Sequence, residues 1–212
     1  MKIGIIGSGS IGSTIGKLWS QAGHEVLFSS RNPEKLSGLV AEAGSSTTSG
    51  TVQDAVAFAD ILFLATNYWT LDEALQNMGD VSGKTILDAT NPYQYNDAGK
   101  VVRAIPNDIS GGTLLQEKLP DSKIIKVFSS MMATIMAEKH HKQPLLVIPY
   151  TTDYEELKKI AEQLITDAGF LPIYYGKLKY SKPIELFGKY SDKVMDEKEA
   201  TQLFEADFKE RK

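Results

Sequence analysis

Cysteine is absent from the 212 residues. That excludes a disulfide framework, a thiol nucleophile, an iron–sulfur cluster and any zinc site built on thiolates. Histidine is scarce, with three in all. His140 and His141 are adjacent, so they face different sides of any regular element. His24 falls in a turn and is expected to cap it or lie at the surface. No metal site is expected.

Long hydrophobic runs are missing too. Stretches such as Ile61–Ala65 fall far short of the ~20 residues of a membrane span. The opening MKIGIIGSGS turns polar too early for a signal-peptide core, so a cytoplasmic protein without a membrane partner is expected. Neither charge sign dominates. With 23 basic and 27 acidic residues the net charge is −4, which supplies no field to hold a nucleic acid. Any phosphate recognition must be local.

What remains is an ordinary globular composition, 42% hydrophobic, 24% charged and 9% aromatic. A chain of this length buries enough surface to need no metal or disulfide staple. Short apolar runs alternate with helical patterns. Lys2–Ile6, Glu25–Ser29, Asp60–Ala65, Lys84–Asp88 and Lys123–Phe128 read as strands. Between the first two, Ile11, Ile15, Leu18, Trp19 and Ala22 share one helical face. Asn32-Pro33 reads as an N-cap with proline at the first helical position, opening a helix to about Ala43. Shorter helices are expected on Val52–Ala59, Asp72–Met78 and Gly112–Lys118. Near-continuous apolar strands alternating with helices predict an α/β fold with a doubly wound parallel sheet. This domain is expected to run over residues 1–150, with a small C-terminal α/β lobe over 151–212. Pro144–Tyr150 and Phe170–Tyr175 flank a helix on Leu157, Ile160, Ala161, Leu164, Ile165 and Ala168. These strands either extend the sheet or begin the lobe, and a terminal helix from Asp196 is expected to dock.

The first strand ends in Gly7-Ser8-Gly9-Ser10-Ile11-Gly12, a G-x-G-x-x-G between a strand and an amphipathic helix. That context is what a dinucleotide fingerprint requires. Gly7 permits the tight turn, Gly9 lets backbone approach a pyrophosphate, and Gly12 lets helix and strand pack closely. The helix N-terminus adds free N–H groups and partial positive charge.

The end of the second strand indicates which dinucleotide. An NAD-preferring chain places an acid about 20 residues past the glycine loop. Here the strand ends Phe28-Ser29-Ser30-Arg31-Asn32, with no acid. Ser30 offers a hydroxyl, Arg31 a guanidinium fork suited to phosphate, and Lys35 a second cation. A charged hydrogen bond contributes ~1.5–3 kcal/mol, and one of that size shifts preference by about tenfold or more. NADP(H) is therefore the expected cofactor.

The segments Lys2–Gly12, Ser29–Lys35 and Asp88-Ala89-Thr90-Asn91-Pro92 together resemble the deazaflavin (coenzyme F420)-dependent NADP reductases and their bacterial relatives. The resemblance is sharp over residues 1–92 and weaker at Lys126–Ser130 and Gly176–Glu185. It implies a Rossmann domain with a short C-terminal lobe, a homodimer, and hydride transfer between NADP(H) and a deazaflavin. It also implies phosphate contacts at Ser8 to Ile11 and 2′-phosphate contacts at Ser30, Arg31 and Lys35. Two departures fall at the pocket mouth. Thr66-Asn67 stands where many members have proline and an apolar residue, and Ser129-Ser130 where many have Asn-Thr.

Ligands of a doubly wound sheet bind beyond the carboxyl ends of its strands. Three such ends, Ala65–Trp69, Thr90–Tyr93 and Phe128–Met132, bring amides and hydroxyls together with aromatic and sulfur surface. That mix suits a flat apolar ring with a polar edge. Hydride transfer between two cofactors needs alignment and water exclusion rather than a protein nucleophile. No catalytic acid or base is assigned. Thr66, Asn91 and Ser129 are the positioning candidates, and Ala65 joins the expected nucleotide wall. Tyr68 and Trp69 stack on an acceptor or pack as core. Asp88 acts as a base or holds loop N–H groups, and Glu185, which matches a family glutamate, braces the C-terminal lobe or contacts substrate. The acceptor is a deazaflavin, a flavin or a similar molecule. Two alternatives stand beside this reading: an NADPH-dependent carbonyl or imine reductase, and a non-enzymatic NADP(H)-sensing domain.

Overall fold

The apolar run at the N-terminus becomes the spine of the molecule. In a computed structural model, which describes residues 1–211, it is strand β1 (Lys2–Ile6), followed by helix α1 (Ser10–Gln21) and strand β2 (Glu25–Ser29). Then come α2 (Ser37–Ala43), β3 (Thr47–Gly50), α3 (Val52–Phe58), β4 (Ile61–Leu64), α4 (Leu71–Met78) and β5 (Thr85–Asp88). A hairpin of β6 (Tyr93–Tyr95) and β7 (Val101–Arg103) leads into α5 (Gly111–Lys118), β8 (Lys123–Lys126) and α6 (Ala133–Lys139). The chain closes with β9 (Val147–Thr152), α7 (Lys158–Asp167), β10 (Leu171–Gly176) and α8 (Glu197–Glu210).

Eight strands form one sheet in the order β10-β9-β8-β5-β4-β1-β2-β3. Every pairing is parallel except β8 with β9, where Ile125 meets Thr152 and Lys126 meets Thr151. The two late strands therefore extend the sheet, in reversed direction. Strand order reverses beside β1, which is flanked by β4 and β2, and that is where such sheets open a crevice.

The continuous apolar strands are covered on both faces, as their composition requires. Ile3, Ile5 and Phe63 pack with Ile15, Leu18 and Trp19 of α1 and Leu164 of α7. Ile6, Leu62, Leu64 and Ile86 pack with Val56 of α3, Leu71 and Ala74 of α4 and Leu115 of α5. Trp19 is fully buried. It sits edge-on to Phe63 and Phe128 at 5.0 and 6.0 Å, and its indole N–H donates to the Leu164 carbonyl at 2.7 Å. A third cluster of Val147, Tyr175, Ile184, Tyr190, Met195, Ala200 and Phe204 forms where α8 docks. Among the described residues no helix is long and apolar enough to cross a membrane.

Some local expectations are corrected. The segment after Asn32-Pro33 begins as a 3-10 turn, Pro33–Leu36, and turns α-helical only at Ser37. The Asn32 side chain caps nothing; instead its backbone N–H donates to Ser30 Oγ at 3.1 Å. Strand β3 has the sequence TTSG, without a single large apolar residue, and was not foreseen. Neither were the β6–β7 hairpin and α6. Ala22 is exposed at the end of α1 rather than buried with Trp19.

Candidate functional site

A cleft of about 550 Å³ opens over the carboxyl ends of β1, β2, β4 and β5. Its floor is the glycine loop. Gly7 has φ of +97°, and a Cβ there would lie 2.8 Å from the Ala65 carbonyl oxygen. A Cβ on Gly12 would lie 2.0 Å from the Gly7 carbonyl oxygen. These positions admit nothing larger than glycine. At Gly9 a Cβ would meet nothing within 4 Å, so its backbone is open to the cleft. Gly9 starts α1 with no side-chain cap, which leaves the first-turn N–H groups available to an anion. Ser8, Ser10 and Ile11 line the same stretch.

Serines tie the loop to β2. Ser8 Oγ donates to the Ser29 carbonyl at 3.0 Å, and Ser29 Oγ donates to the Ile5 carbonyl at 2.6 Å. Ser30 and Arg31 follow on the cleft wall. Arg31 Nη1 lies 3.5 Å from Glu73 Oε1 on α4. Lys35 is exposed on the 3-10 turn and does not line the cleft.

Across the cleft, Ala65 and Thr66 follow β4. The Thr66 hydroxyl is buried without a hydrogen-bond partner in the protein. A group left so costs about 1–3 kcal/mol, so it calls for a ligand group. The orphaned hydroxyl, the open backbone at Gly9 and the uncapped α1 together fit a dinucleotide lying across β1.

The far end is assembled by longer-range bonds. Asn91 lines the cleft, but both ends of its amide are engaged. Its Nδ2 donates to the Ser129 carbonyl at 2.9 Å, and its Oδ1 accepts from the Leu186 N–H at 2.7 Å. Ser129 is buried outside the cleft lining, its Oγ donating to the Ile184 carbonyl at 2.9 Å. Below Asn91, Asp88 is fully buried, and its Oδ1 accepts from the Thr90 N–H and hydroxyl. Its Oδ2 accepts from the ammonium of fully buried Lys126 at 2.9 Å, and that ammonium also donates to the Thr90 carbonyl. Lys126 is thus a brace beneath the cleft.

Glu185 is likewise fully buried. Its Oε1 accepts from the Gly111 N–H at 2.8 Å and from Ser181 Oγ at 2.6 Å, at the start of α5. Its Oε2 lies 3.3 Å from Arg103 Nη2 on β7. One carboxylate thereby joins the hairpin, α5 and the C-terminal segment.

The hairpin carries a feature that the sequence did not disclose. Tyr93, on the cleft wall, packs edge-on against Trp69 at 5.3 Å, and Tyr95 lies 5.8 Å from Trp69. Trp69 is 52% and Tyr95 60% exposed. Burial pushes the Tyr68 and Tyr93 phenols up, so both stay neutral at physiological pH. Glu73 and Asn77 of α4 and Leu36 and Val52 also line the cleft. The i, i+4 spacing of Glu73 and Asn77 puts both on one helix face, but only the fold shows which face it is.

Other candidates resolve into packing. His24 is buried, not at the surface. Its Nε2 lies 2.8 Å from Asp167 Oδ2 and its Nδ1 3.0 Å from the N-terminal amine. His140 and His141 rings pack edge-on at 5.4 Å, and among the described residues no cluster could hold a metal. Met131 is core, whereas Met132 is exposed.

Residues 2–92 match the family described as NADP oxidoreductase coenzyme F420-dependent. A protein from Sinorhizobium meliloti described as hypothetical shares the fold, with a TM-score of 0.83 and 24% identity, covering 93% of this chain and 96% of that one. A protein from Arthrobacter sp., provisionally described as an F420-dependent NADP reductase, superposes with a TM-score of 0.77 and 22% identity, covering 85% and 87%. Rat metalloreductase STEAP3 is 22% identical over 186 residues, which are 87% of this chain and 36% of that protein. The chain thus spans about a third of the metalloreductase's length.

Proposed function

We propose that the chain, whose residues 2–92 match the family described as NADP oxidoreductase coenzyme F420-dependent, moves a hydride between NADP(H) and a deazaflavin, flavin or similar flat acceptor. The observation that carries this reading is the single cleft running from Arg31, past the glycine loop and Thr66, to Tyr93. One end suits a phosphorylated adenosine and the other an aromatic ring. Bound NADPH would supply the hydride, leaving NADP+, and an oxidised acceptor held at the other end would take it together with one proton from solvent.

The chain's own residues bind, orient and exclude water. The α1 N-terminus takes the pyrophosphate, and Ser30 and Arg31 take the 2′-phosphate, with Lys35 adding long-range attraction. Thr66 offers its unpartnered hydroxyl to the nicotinamide side. Asn91 and Ser129 act indirectly, because their polar groups hold the loops that shape the acceptor end. The exposed rings of Trp69 and Tyr95 beside Tyr93 offer a stacking surface. The proposed division into residues 1–150 and a small lobe from 151 is supported only by the separate core around Tyr175, Tyr190 and Phe204, because β9, α7 and β10 belong to the main sheet and its core. The reading also takes the protein as a homodimer, which the family resemblance supports, and as cytoplasmic.

The test follows absorbance at the nicotinamide band with NADPH and a panel of oxidised deazaflavin, flavins, imines and carbonyls. Turnover with the deazaflavin or a flavin is the expected result. Turnover confined to imines or carbonyls rejects it, and binding without turnover across the panel points to a sensor.

A further inference from the structure

Arg31 does not stand alone at its end of the cleft. Glu73, in the first turn of α4, reaches it at 3.5 Å. The neighbouring Asp72 is engaged elsewhere, accepting from the Lys118 ammonium at 2.8 Å. Glu73 is therefore the carboxylate that α4 turns toward the cleft, on the same wall as Ala74 and Asn77. Its side chain is 51% and that of Arg31 73% exposed, so the pair adds little to stability. Its consequence lies in binding.

We infer that Glu73 sets how strongly the site discriminates phosphorylated from unphosphorylated dinucleotides, by competing with the 2′-phosphate for Arg31. The inference rests on Arg31 being the phosphate ligand. A phosphate oxygen bonded to a guanidinium sits about 2.7–2.9 Å from it. A carboxylate 3.5 Å from the same guanidinium is then within a few ångströms of that phosphate, and like charges at such spacing repel even in water. An unphosphorylated ribose carries no charge to repel, and its 2′-hydroxyl donates readily to a carboxylate. Glu73 therefore weakens NADP(H) binding and spares NAD(H). The end of β2 lacks the acid that an NAD-preferring chain carries there, and the fold brings one from α4 instead.

The test is calorimetric titration of the full chain with 2′,5′-ADP and with 5′-AMP, for the parent, Glu73→Gln and Arg31→Ala. Glu73→Gln is expected to tighten 2′,5′-ADP about threefold to tenfold and to change 5′-AMP by less than about twofold. The gain shrinks as salt rises from about 0.05 to about 0.5 M, because exposed charges are screened. Unchanged or weaker 2′,5′-ADP binding in Glu73→Gln overturns the inference, as does equal tightening of both ligands. Arg31→Ala separates the two failures. If it leaves the preference for 2′,5′-ADP intact, Arg31 is not the phosphate ligand and both ideas fall. If it removes that preference while Glu73→Gln changes nothing, only the role of Glu73 falls.

Discussion

At the glycine-loop end, the cleft is held by bonds between neighbours in sequence: Ser8 to Ser29 spans 21 residues and Ser29 to Ile5 spans 24. At the far end Ser129 reaches Ile184 across 55 residues, Arg103 reaches Glu185 across 82, and Asn91 reaches Leu186 across 95. The first end is a local strand–turn–helix that offers the cleft the open backbone of Gly9 and the uncapped N-terminus of α1. The second is a meeting of loops that exists only when the whole chain is folded. Substitutions at the two ends should therefore fail differently.

The largest effect is expected beneath the far end. Lys126→Met leaves Asp88 buried without its cation and should cost about 3–5 kcal/mol, read as a lowered denaturation midpoint. Wild-type stability in that variant would mean that the Asp88–Lys126 pair is not bracing the floor. At the near end, Gly12→Ala places a methyl 2.0 Å from a backbone carbonyl oxygen and should cost about 3 kcal/mol. Gly9→Ala meets no atom within 4 Å, so it should fold normally and lose nucleotide affinity alone. A matching stability loss in both variants would remove the distinction between packing and binding glycines.

Next in size is Arg31→Ala, which should lower NADPH affinity about tenfold or more and leave NADH nearly unchanged in fluorescence titrations. Equal losses would show that this end does not read the 2′-phosphate.

The smallest effect concerns pH where α8 docks. Burial raises the Asp207 carboxyl, but hydrogen bonds from Lys189, Tyr175 and Tyr190 outweigh it and hold the group below its ordinary range. A carboxyl lowered on folding stabilises fully above its unfolded pKa of about 3.9 and loses that contribution as pH falls through the folded value. Below about pH 4 the docking of α8 should weaken before the glycine-loop end does. Hydrogen exchange resolved by segment would show it, and Asp207→Asn should flatten the dependence. Uniform exchange across both ends would count against a separately held lobe.

The same contrast explains what was legible in the sequence. Apolar runs marked β1, β2, β4, β5 and β8 because each is buried on both faces. The glycine loop was legible because backbone geometry itself demands glycine at Gly7 and Gly12. The place of Arg31 on the cleft wall is legible because it lies a fixed distance from that loop. Strand β3 was hidden because an edge strand of Thr, Thr, Ser and Gly has no apolar signature. The Trp69, Tyr93 and Tyr95 cluster was hidden because a hairpin set by tertiary packing brings the rings together. Strand-end position marks Asn91 and Ser129 as residues near the mouth, but no local rule pairs them with Leu186 and Ile184, so far along the chain. Glu73 escaped for the same reason, being one of two adjacent acids with nothing local to say which one faces Arg31.

The hairpin turn has one more consequence. Asn96 Oδ1 accepts from the N–H groups of Ala98 and Lys100, the Asn96 and Gly99 N–H groups bond to Lys100 and Asn96 carbonyls, and Gly99 takes φ of +70°. The tip is held by its own bonds, while Arg103 at its base is clamped by Glu185. Such a tip is expected to accept exchange without redesign of the sheet below. Under the proposed function, loop exchange over residues 94–100 should alter the range of acceptors while leaving nucleotide binding unchanged.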